Sequence, residues 1–286
     1  MFETNESLEQ ARDRNVRDAL REDLGRIDWT GQLVPSHREV IAQVRVRQSA
    51  VLCGREWFDA CVLSLDPHAR IEWHYAEGDD MQPDTRVCTI HARARPLLSA
   101  ERPALNFLQL LSATATVTRA HVRAIEGVSP NPRGCAVLDT RKTLPGLRQA
   151  QKYAVRVGGG VNQRLALWDG ILIKENHIAA AGGIQAAMAQ AHALQAQVSI
   201  QIEVEDLHQL QLALDAGAQN ILLDNFDLTH MREAVALTAG RAVLEVSGGV
   251  TLPQLKDIAS TGVDRISIGK LTKDVSAVDY SLRVND

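Results

Sequence analysis

Short apolar segments recur at nearly constant spacing in the second half of the chain, and each ends in a polar residue or glycine. The last four end at Glu203, Asp224, Ser247 and Gly269, which are separated by 21, 23 and 22 residues. That spacing is about the length of one strand, one helix and their two connections. Strands and helices that alternate in this way predict a parallel sheet covered by helices.

Two earlier segments of the same kind end at Thr140 and Lys174. Six strands are fewer than the eight of a complete barrel, so the pattern predicts an open or incomplete parallel β/α barrel. A doubly wound open sheet is the alternative, because strands and helices alternate in that fold as well.

The N-terminal part of the chain has a different pattern, with a predicted amphipathic helix over Thr4–Leu24 and then short alternating strands. A long helix is predicted over Glu101–Glu126, with Ser99 as its N-cap and Pro103 in its first turn. The overall class is therefore α/β, an α+β sandwich followed by the barrel.

The two patterns divide the chain into two predicted domains. Residues 1–113 form the α+β sandwich, and residues 114–274 form the barrel that carries the active site. The tail, residues 275–286, alternates like a strand and is expected to return to the first domain.

Composition excludes several classes of partner. Lys and Arg number 31 against 35 Asp and Glu, for a net charge of −4, whereas a nucleic-acid-binding protein needs a surplus of basic residues. No apolar stretch approaches the roughly 20 residues that span a bilayer. The four cysteines form no C-x-x-C pair, which favours reduced thiols and a cytoplasmic location.

Basic residues concentrate between Thr140 and Lys174, where seven Lys or Arg stand against one acidic residue. In β/α barrels the active site lies at the carboxyl ends of the strands, and Arg141, Lys142 and Lys174 fall there. Guanidinium groups such as those of Arg141 and Arg164 bind carboxylates or phosphates through paired hydrogen bonds. This side of the site is therefore expected to bind an anion.

Two acidic residues, Glu203 and Asp224, end consecutive strands. Converging carboxylates bind Mg²⁺ together with a polyphosphate, or accept hydrogen bonds from sugar hydroxyls. They could equally serve as ion-pair partners of Lys142 and Lys174, and the sequence alone does not decide between these roles.

Small residues follow the last two strands, in Ser247-Gly248-Gly249 and in Ser267-Ile268-Gly269. Glycine lets backbone N–H groups approach a phosphate closely, and paired loops late in a barrel form phosphate sites in many barrels. We expect both loops to bind phosphate.

Several of these segments resemble the quinolinate phosphoribosyltransferase family. They are ERPALNFLQLLS, LDTRKTLPGLRQAQKYAVRVGGG, LIKENHI, IEVE, LLDNF, EVSGGV and ISIGKLTK, and they occur in the family's order along nearly the whole chain. The combination of DTRKTLPGLR with LIKENHI is highly specific.

The resemblance implies a two-domain enzyme that joins quinolinate to phosphoribosyl pyrophosphate with Mg²⁺. Its products are nicotinate mononucleotide, pyrophosphate and carbon dioxide, on the route to NAD. It implies a dimer, or a hexamer built from dimers, in which each active site is completed by the neighbouring subunit.

The resemblance also implies individual roles. The quinolinate carboxylates would contact Arg141, Arg164, Lys174 and Arg102 of the neighbouring subunit, with Lys142 between the two substrates. Ribose hydroxyls and Mg²⁺ would meet Glu203 and Asp224. The remaining substrate-binding residues are assigned to the strand-end loops and comprise Thr140, Gln163, Ser247, Gly248, Gly249, Ser267, Ile268 and Gly269.

One position departs from the family pattern. After the glycine run the family usually has N-H-R, whereas this chain has Asn162-Gln163-Arg164. Glutamine retains a hydrogen-bond donor but cannot become cationic. We therefore expect activity with weaker quinolinate binding.

Other functions remain open on the residues alone. A related barrel could act on a different anion, a Schiff-base aldolase could use Lys174, and a non-catalytic anion-binding protein could have lost activity through Gln163. Two acids at the mouth of the barrel speak against a protein that only binds carboxylates.

Overall fold

The computed structural model describes residues 5–285, and within them two compact units. The first contains residues up to 119, then 143–159, and then the chain from 272 onward. The second contains residues 120–142 and 160–271.

The first unit is built on an antiparallel sheet of four strands. In spatial order they are β12 (Tyr280–Asn285), β1 (Glu39–Val46), β5 (Arg86–Arg93) and β3 (Arg70–Trp73). One pairing in this sheet, Val44 opposite Leu282, joins the C-terminal tail to β1, which confirms that the tail returns to the first unit as a strand. Its elements are α1 (Leu8–Leu24), β1 (Glu39–Val46), β2 (Ala50–Val51), α2 (Arg55–Leu65), β3 (Arg70–Trp73), β4 (Asp80–Met81), β5 (Arg86–Arg93), α3 (Ala94–Ala124), α4 (Arg148–Val157) and β12 (Tyr280–Asn285).

Helix α1 begins at Leu8, since Ser7 forms a capping box with Gln10. The Ser7 side chain accepts from the Gln10 amide at 3.2 Å, and Gln10 accepts from the Ser7 amide at 2.9 Å. Thr4, where the sequence placed the start of this helix, lies outside the described residues.

Helix α3 corrects the prediction for the long helix. It begins at Ala94, directly after β5, and both Ser99 and Pro103 lie inside it. The Ala94 amide donates to the Arg38 carbonyl at 2.7 Å, which holds the strand-to-helix junction. Ser99 is not an N-cap, because it lies inside the helix. Its hydroxyl donates to Asp28 at 2.6 Å. Pro103 suggested that the helix starts close to it, but tertiary contacts extend the helix in the N-terminal direction to Ala94.

Residues 143–159 belong to the first unit, although the sequence pattern assigned them to the barrel domain. Helix α4 supplies Ala150 and Ala154, both fully buried, to the same core as Trp57 and Phe58. Burial of this helix face against that core explains the grouping.

The second unit contains a six-stranded sheet in which all pairs are parallel. In spatial order its strands are β6 (Ala136–Leu138), β11 (Arg265–Ser267), β10 (Val243–Ser247), β9 (Asn220–Asp224), β8 (Ser199–Val204) and β7 (Gly170–Ile173). Its elements are β6 (Ala136–Leu138), β7 (Gly170–Ile173), α5 (Glu175–Ala181), α6 (Ile184–Ala193), β8 (Ser199–Val204), α7 (Leu207–Asp215), β9 (Asn220–Asp224), α8 (Leu228–Thr238), β10 (Val243–Ser247), α9 (Leu255–Ala259) and β11 (Arg265–Ser267). A short α10 (Lys270–Lys273) follows.

This strand order distinguishes the two predicted topologies. Strands β7 to β11 follow one another without reversal, whereas a doubly wound sheet reverses its order at a switch point. The first strand, β6, pairs with the last, β11, so the sheet curves back on itself and stays open between β6 and β7. The open parallel β/α barrel is confirmed.

Candidate active site

The ends of β6 and β11 contact each other at the first basic cluster. Thr140, Arg141 and Lys142 follow β6, and the Thr140 hydroxyl accepts from the Lys142 amide at 3.1 Å. Gly269, after β11, packs so closely that a Cβ there would lie 3.0 Å from the Lys142 side chain. Glycine at position 269 therefore leaves room for the Lys142 side chain.

Arg164 lies on the same cationic side of the unit. Its guanidinium donates to the Gly170 carbonyl at 2.9 Å, which anchors it at the start of β7. Burial lowers the pKa of Arg164, and the nearby positive charge of Arg141 lowers it further. Two guanidinium groups close enough to repel each other form a favourable environment for an anion.

Lys174 and Glu203 form an ion pair at the ends of the adjacent strands β7 and β8. The Lys174 Nζ lies 3.2 Å from Glu203 Oε2, and the side chains are 46% and 12% exposed. The sequence left open whether Glu203 serves as an ion-pair partner of a lysine. In the structure it forms such a pair with Lys174.

Asp224 ends β9 beside the loop that follows β10. Its Oδ2 accepts from the Asn225 side chain at 3.0 Å. Gly248 has φ 108°, and a Cβ there would lie 3.0 Å from Asn225 Oδ1 and 3.4 Å from Asp224 Oδ1. The close approach and the positive φ together require glycine at position 248.

The remaining loop residues have different environments. Gly249 also has a positive φ, at 58°, and it follows Ser247 and Gly248 at the end of β10. Ser267 is buried, with its hydroxyl 3.5 Å from the Val246 carbonyl. Ile268 donates its amide to the Leu138 carbonyl at 2.8 Å, so that amide is engaged in the sheet.

Gln163 is held by hydrogen bonds to residues that the sequence analysis did not single out. Its amide donates to Asp139 Oδ1 at 3.0 Å, and its side-chain Nε2 donates to Gln201 Oε1 at 2.9 Å. Gln201 in turn donates to Glu245 Oε2 at 2.9 Å. Gln201 and Glu245 each stand two residues before a strand-end residue of the site, and that spacing was the available signal.

His177, just past the end of β7, has a local structural role. Its Nδ1 accepts from the Lys174 amide at 3.0 Å, which fixes the start of α5. The ring thus helps to hold the backbone of Lys174.

Arg102 lies in the first unit, on α3. Its side chain is 58% exposed and 3.8 Å from Glu101. It lines a groove of about 390 Å³ together with Arg14, Glu22 and Phe107.

The described residues contain no group of three or more His, Cys, Asp or Glu side chains placed to hold a metal ion. Two carboxylates, those of Glu203 and Asp224, lie at the ends of β8 and β9. Such a pair suits Mg²⁺, which usually keeps several waters and is held by one or two carboxylates plus substrate phosphates. The donor set fits Mg²⁺ bound together with a phosphorylated substrate.

Comparisons with known proteins cover both parts of the chain. Residues 28–112 match the family described as quinolinate phosphoribosyl transferase, N-terminal domain. Residues 114–283 match the corresponding C-terminal domain. The chain belongs to the quinolinate phosphoribosyltransferase family.

Two bacterial relatives match over nearly their whole length. A nicotinate-nucleotide pyrophosphorylase (carboxylating) from Mycobacterium leprae is 40% identical, over 96% of this chain and 97% of its own. A probable enzyme of the same name from Bacillus subtilis is 38% identical, over 92% and 90%.

Solved structures agree with this membership. The nicotinate-nucleotide pyrophosphorylase from Francisella tularensis superposes with a TM-score of 0.90 at 39% identity, over 96% of each chain. A homologous structure from Streptococcus pyogenes gives 0.91 at 36% identity, over 99% of this chain and 100% of the other. None of the helices among the described residues combines the length and the apolar character that a membrane span requires.

Proposed function

We propose that the chain transfers the phosphoribosyl group of phosphoribosyl pyrophosphate to quinolinate, with decarboxylation. The products are nicotinate mononucleotide, pyrophosphate and carbon dioxide, in the synthesis of NAD. The observation that carries this proposal is the distribution of charge in the second unit. Arg141 and Arg164 lie close enough to repel each other. Glu203 and Asp224 lie at the ends of the consecutive strands β8 and β9. Family membership supplies the reaction that fits it.

Quinolinate carries two carboxylates, so its binding requires compensating positive charge. We assign that role to Arg141, Arg164 and Lys174, with the Gln163 amide as a neutral hydrogen-bonding group. The ammonium group of Lys174 has three N–H donors, so it can donate to a quinolinate carboxylate while it remains paired with Glu203. Charge-assisted hydrogen bonds from several directions would fix the orientation of the ring as well as bind it.

The phosphoribosyl part would bind along the ends of β8 to β11. Glu203 and Asp224 accept hydrogen bonds from the ribose hydroxyls, and the loops 247–249 and 267–269 receive phosphate groups. Thr140 and Lys142 lie close to Gly269. We assign Lys142 to a position between the pyridine ring and the phosphate groups.

Mg²⁺ is assigned to Glu203 and Asp224 together with pyrophosphate oxygens. When bound there, it would neutralise negative charge on the leaving group.

In the reaction, the pyridine nitrogen donates its lone pair to the anomeric carbon as the bond to pyrophosphate breaks. The anomeric carbon becomes positively charged in the transition state, and the carboxylates of Glu203 and Asp224 stabilise that charge. The bond to the carboxylate beside the ring nitrogen then breaks and releases carbon dioxide. Its electrons remain on the ring carbon next to the cationic nitrogen, and that carbon takes a proton.

The subunit arrangement and cellular location are also proposals. We assign a homodimer, or a hexamer built from dimers, in which Arg102 of each subunit reaches the site of its neighbour. A cytoplasmic location is consistent with the four free cysteines, of which three are buried. Quinolinate and phosphoribosyl pyrophosphate are its assigned partners, with no nucleic acid or membrane.

The direct test is an assay for nicotinate mononucleotide from quinolinate and phosphoribosyl pyrophosphate, with and without Mg²⁺. We expect product and equimolar pyrophosphate when Mg²⁺ is present, and a large loss of rate after chelation. Binding of both substrates without turnover would identify the non-catalytic alternative. Borohydride trapping of a carbonyl compound on Lys174 would favour the aldolase.

A further inference from the structure

Asn225, which directly follows Asp224 at the end of β9, has a backbone conformation that few residue types adopt. Its φ is 58°, in the left-handed region, where a Cβ atom is disfavoured and glycine is the usual choice. Asparagine and aspartate also tolerate this region, because their short polar side chains form local hydrogen bonds. The backbone at position 225 therefore favours glycine, asparagine or aspartate.

The Asn225 side chain contacts two parts of the candidate site. Its Nδ2 donates to Asp224 Oδ2 at 3.0 Å. Its Oδ1 lies against the loop after β10, where a Cβ on Gly248 would come within 3.0 Å of it. An ionised carboxylate only accepts hydrogen bonds, so the NH₂ group must face Asp224 and the amide oxygen must face Gly248. The carboxamide therefore lies between the end of β9 and the loop that follows β10.

The two carboxylate oxygens of Asp224 have different surroundings as a result. Oδ2 accepts from Asn225, whereas Oδ1 lies beside Gly248, where a Cβ would be 3.4 Å from it. The last torsion of an aspartate side chain has broad minima, so hydrogen bonds decide which oxygen points where. The bond from Asn225 fixes that torsion and directs Oδ1 towards the loop 247–249.

The other two residue types that suit this backbone could not fix Asp224 in the same way. Glycine would relieve the strain at position 225, but it has no side-chain donor. An ionised aspartate has no N–H group, and it would place a second negative charge against Asp224. The Asn225 side chain is exposed, so it does not contribute to the core either. Asparagine thus combines a tolerated backbone with a donor to Asp224.

We propose that Asn225 is a positioning residue for the phosphoribosyl substrate. It holds the Asp224 carboxylate so that Oδ1 accepts a hydrogen bond from a ribose hydroxyl when phosphoribosyl pyrophosphate binds at the loop 247–249. Gly248 complements this arrangement, because a residue without a Cβ leaves room for the carboxamide. Asn225 acts through Asp224 and does not itself contact the substrate. This inference rests on the proposed function and deepens it.

The test compares Asn225→Gly and Asn225→Asp with the wild type. Asn225→Gly retains the left-handed backbone but removes the donor, so Asp224 loses its fixed orientation. The Kd for phosphoribosyl pyrophosphate, measured by calorimetry in Mg²⁺ without quinolinate, should rise about 3- to 10-fold. Asn225→Asp should weaken binding at least as much, since its charge also repels the phosphates. The KM for phosphoribosyl pyrophosphate should rise in parallel, with the KM for quinolinate changed less than 2-fold.

A double-mutant cycle with Asp224→Ala shows whether Asn225 acts through Asp224. If it does, adding Asn225→Gly to Asp224→Ala should raise the Kd no further. Gln195→Gly is the matched control, because Gln195 also has a positive φ, of 48°, in the same unit. It lies between α6 and β8, before the start of the strand, so both KM values should remain unchanged.

The possible outcomes separate this inference from the proposed function. Product formation by the wild type, with an unchanged Kd in Asn225→Gly or additive effects in the double variant, overturns the positioning role alone. Equal increases in both KM values also overturn it, because they indicate general distortion of the site. If Asn225→Gly does not fold, Asn225→Asp replaces it in the cycle. A wild type that neither binds phosphoribosyl pyrophosphate nor forms product overturns both proposals.

Discussion

The Nζ of Lys174 lies 3.2 Å from Oε2 of Glu203, across the ends of two adjacent parallel strands. A cation assigned to quinolinate is therefore held by a carboxylate assigned to ribose and Mg²⁺. The pair connects the two halves of the proposed site.

The first prediction concerns this pair. Lys174→Ala removes a charge-assisted contact with quinolinate and leaves Glu203 without its ion-pair partner. We expect kcat/KM for quinolinate to fall about 10- to 150-fold, which corresponds to about 1.5–3 kcal/mol. Lys174→Arg should retain part of the activity. Arg47→Ala, which breaks an ion pair with Asp84 in the first unit, should leave kcat/KM unchanged. An unaffected Lys174→Ala enzyme would contradict the assignment.

The second prediction concerns the departure at position 163. Gln163→His restores the family residue, and an imidazolium beside a dianion adds attraction that an amide lacks. The KM for quinolinate should fall several-fold near pH 6 and less near pH 8, since the free imidazole has a pKa of about 6.5. Steady-state kinetics at both pH values measure this difference. Unchanged or weaker quinolinate binding at pH 6 would show that glutamine is not a handicap here.

The third prediction concerns Gly248, whose φ is 108°. Gly248→Ala adds a Cβ 3.0 Å from Asn225 Oδ1, so the loop at Asp224 must shift. We expect the KM for phosphoribosyl pyrophosphate to rise at least 10-fold, with a smaller change for quinolinate. Gly127→Ala is the matched control, because Gly127 also has a positive φ, of 69°, but its Cβ would meet nothing within 4 Å. Equal kinetic effects in the two variants would point to backbone strain alone.

The fourth prediction tests the shared active site. If Arg102 serves the neighbouring subunit, Arg102→Ala and Lys174→Ala each inactivate a site, but a mixed dimer contains one site that lacks both defects. Mixing the two inactive variants should therefore restore up to about a quarter of wild-type activity, under random exchange of subunits. Heterodimers confirmed by mass spectrometry that show no recovery would count against the sharing.

The fifth prediction concerns stability and pH in the first unit. Burial raises the pKa of Asp59 to about 6, although Trp73 donates to it at 3.0 Å. The unfolded carboxyl titrates near 3.9, so the folded protein binds this proton more tightly, and stability falls as pH rises from about 4 through 6. Asp59→Asn retains the bond to Trp73 and should remove this loss, which raises the Tm by a few degrees at pH 7.5.

Asp84→Asn provides the baseline for that comparison, as an exposed carboxyl of the same unit. Its Tm should follow the wild-type dependence on pH. If Asp59→Asn shows the same slope between pH 4 and pH 6 as the wild type, Asp59 is not the group responsible.

Local sequence was sufficient for much of the architecture. Strands β9 and β10 end at the predicted residues, Asp224 and Ser247, whereas β8 and β11 end within two residues of the predicted Glu203 and Gly269. These ends were predictable because a parallel strand buried on both faces is a short apolar run that stops where solvent or ligand begins. Polar residues at those ends had to lie together, since parallel strands all finish at one edge. The start of α3 was not predictable, because Ala94 is fixed by contact with Arg38 rather than by a cap.

Sequence alone thus determined the family, the open barrel and the kind of charge at each strand end. Only the tertiary structure decided which charges meet, and it paired Glu203 with Lys174. It also brought together Gln163, Gln201 and Glu245, which are up to 82 residues apart in the sequence. The physical reason is that curvature of the sheet brings side chains from alternate strands into contact. The pattern of residues along one strand does not indicate which side chains it will contact across the barrel.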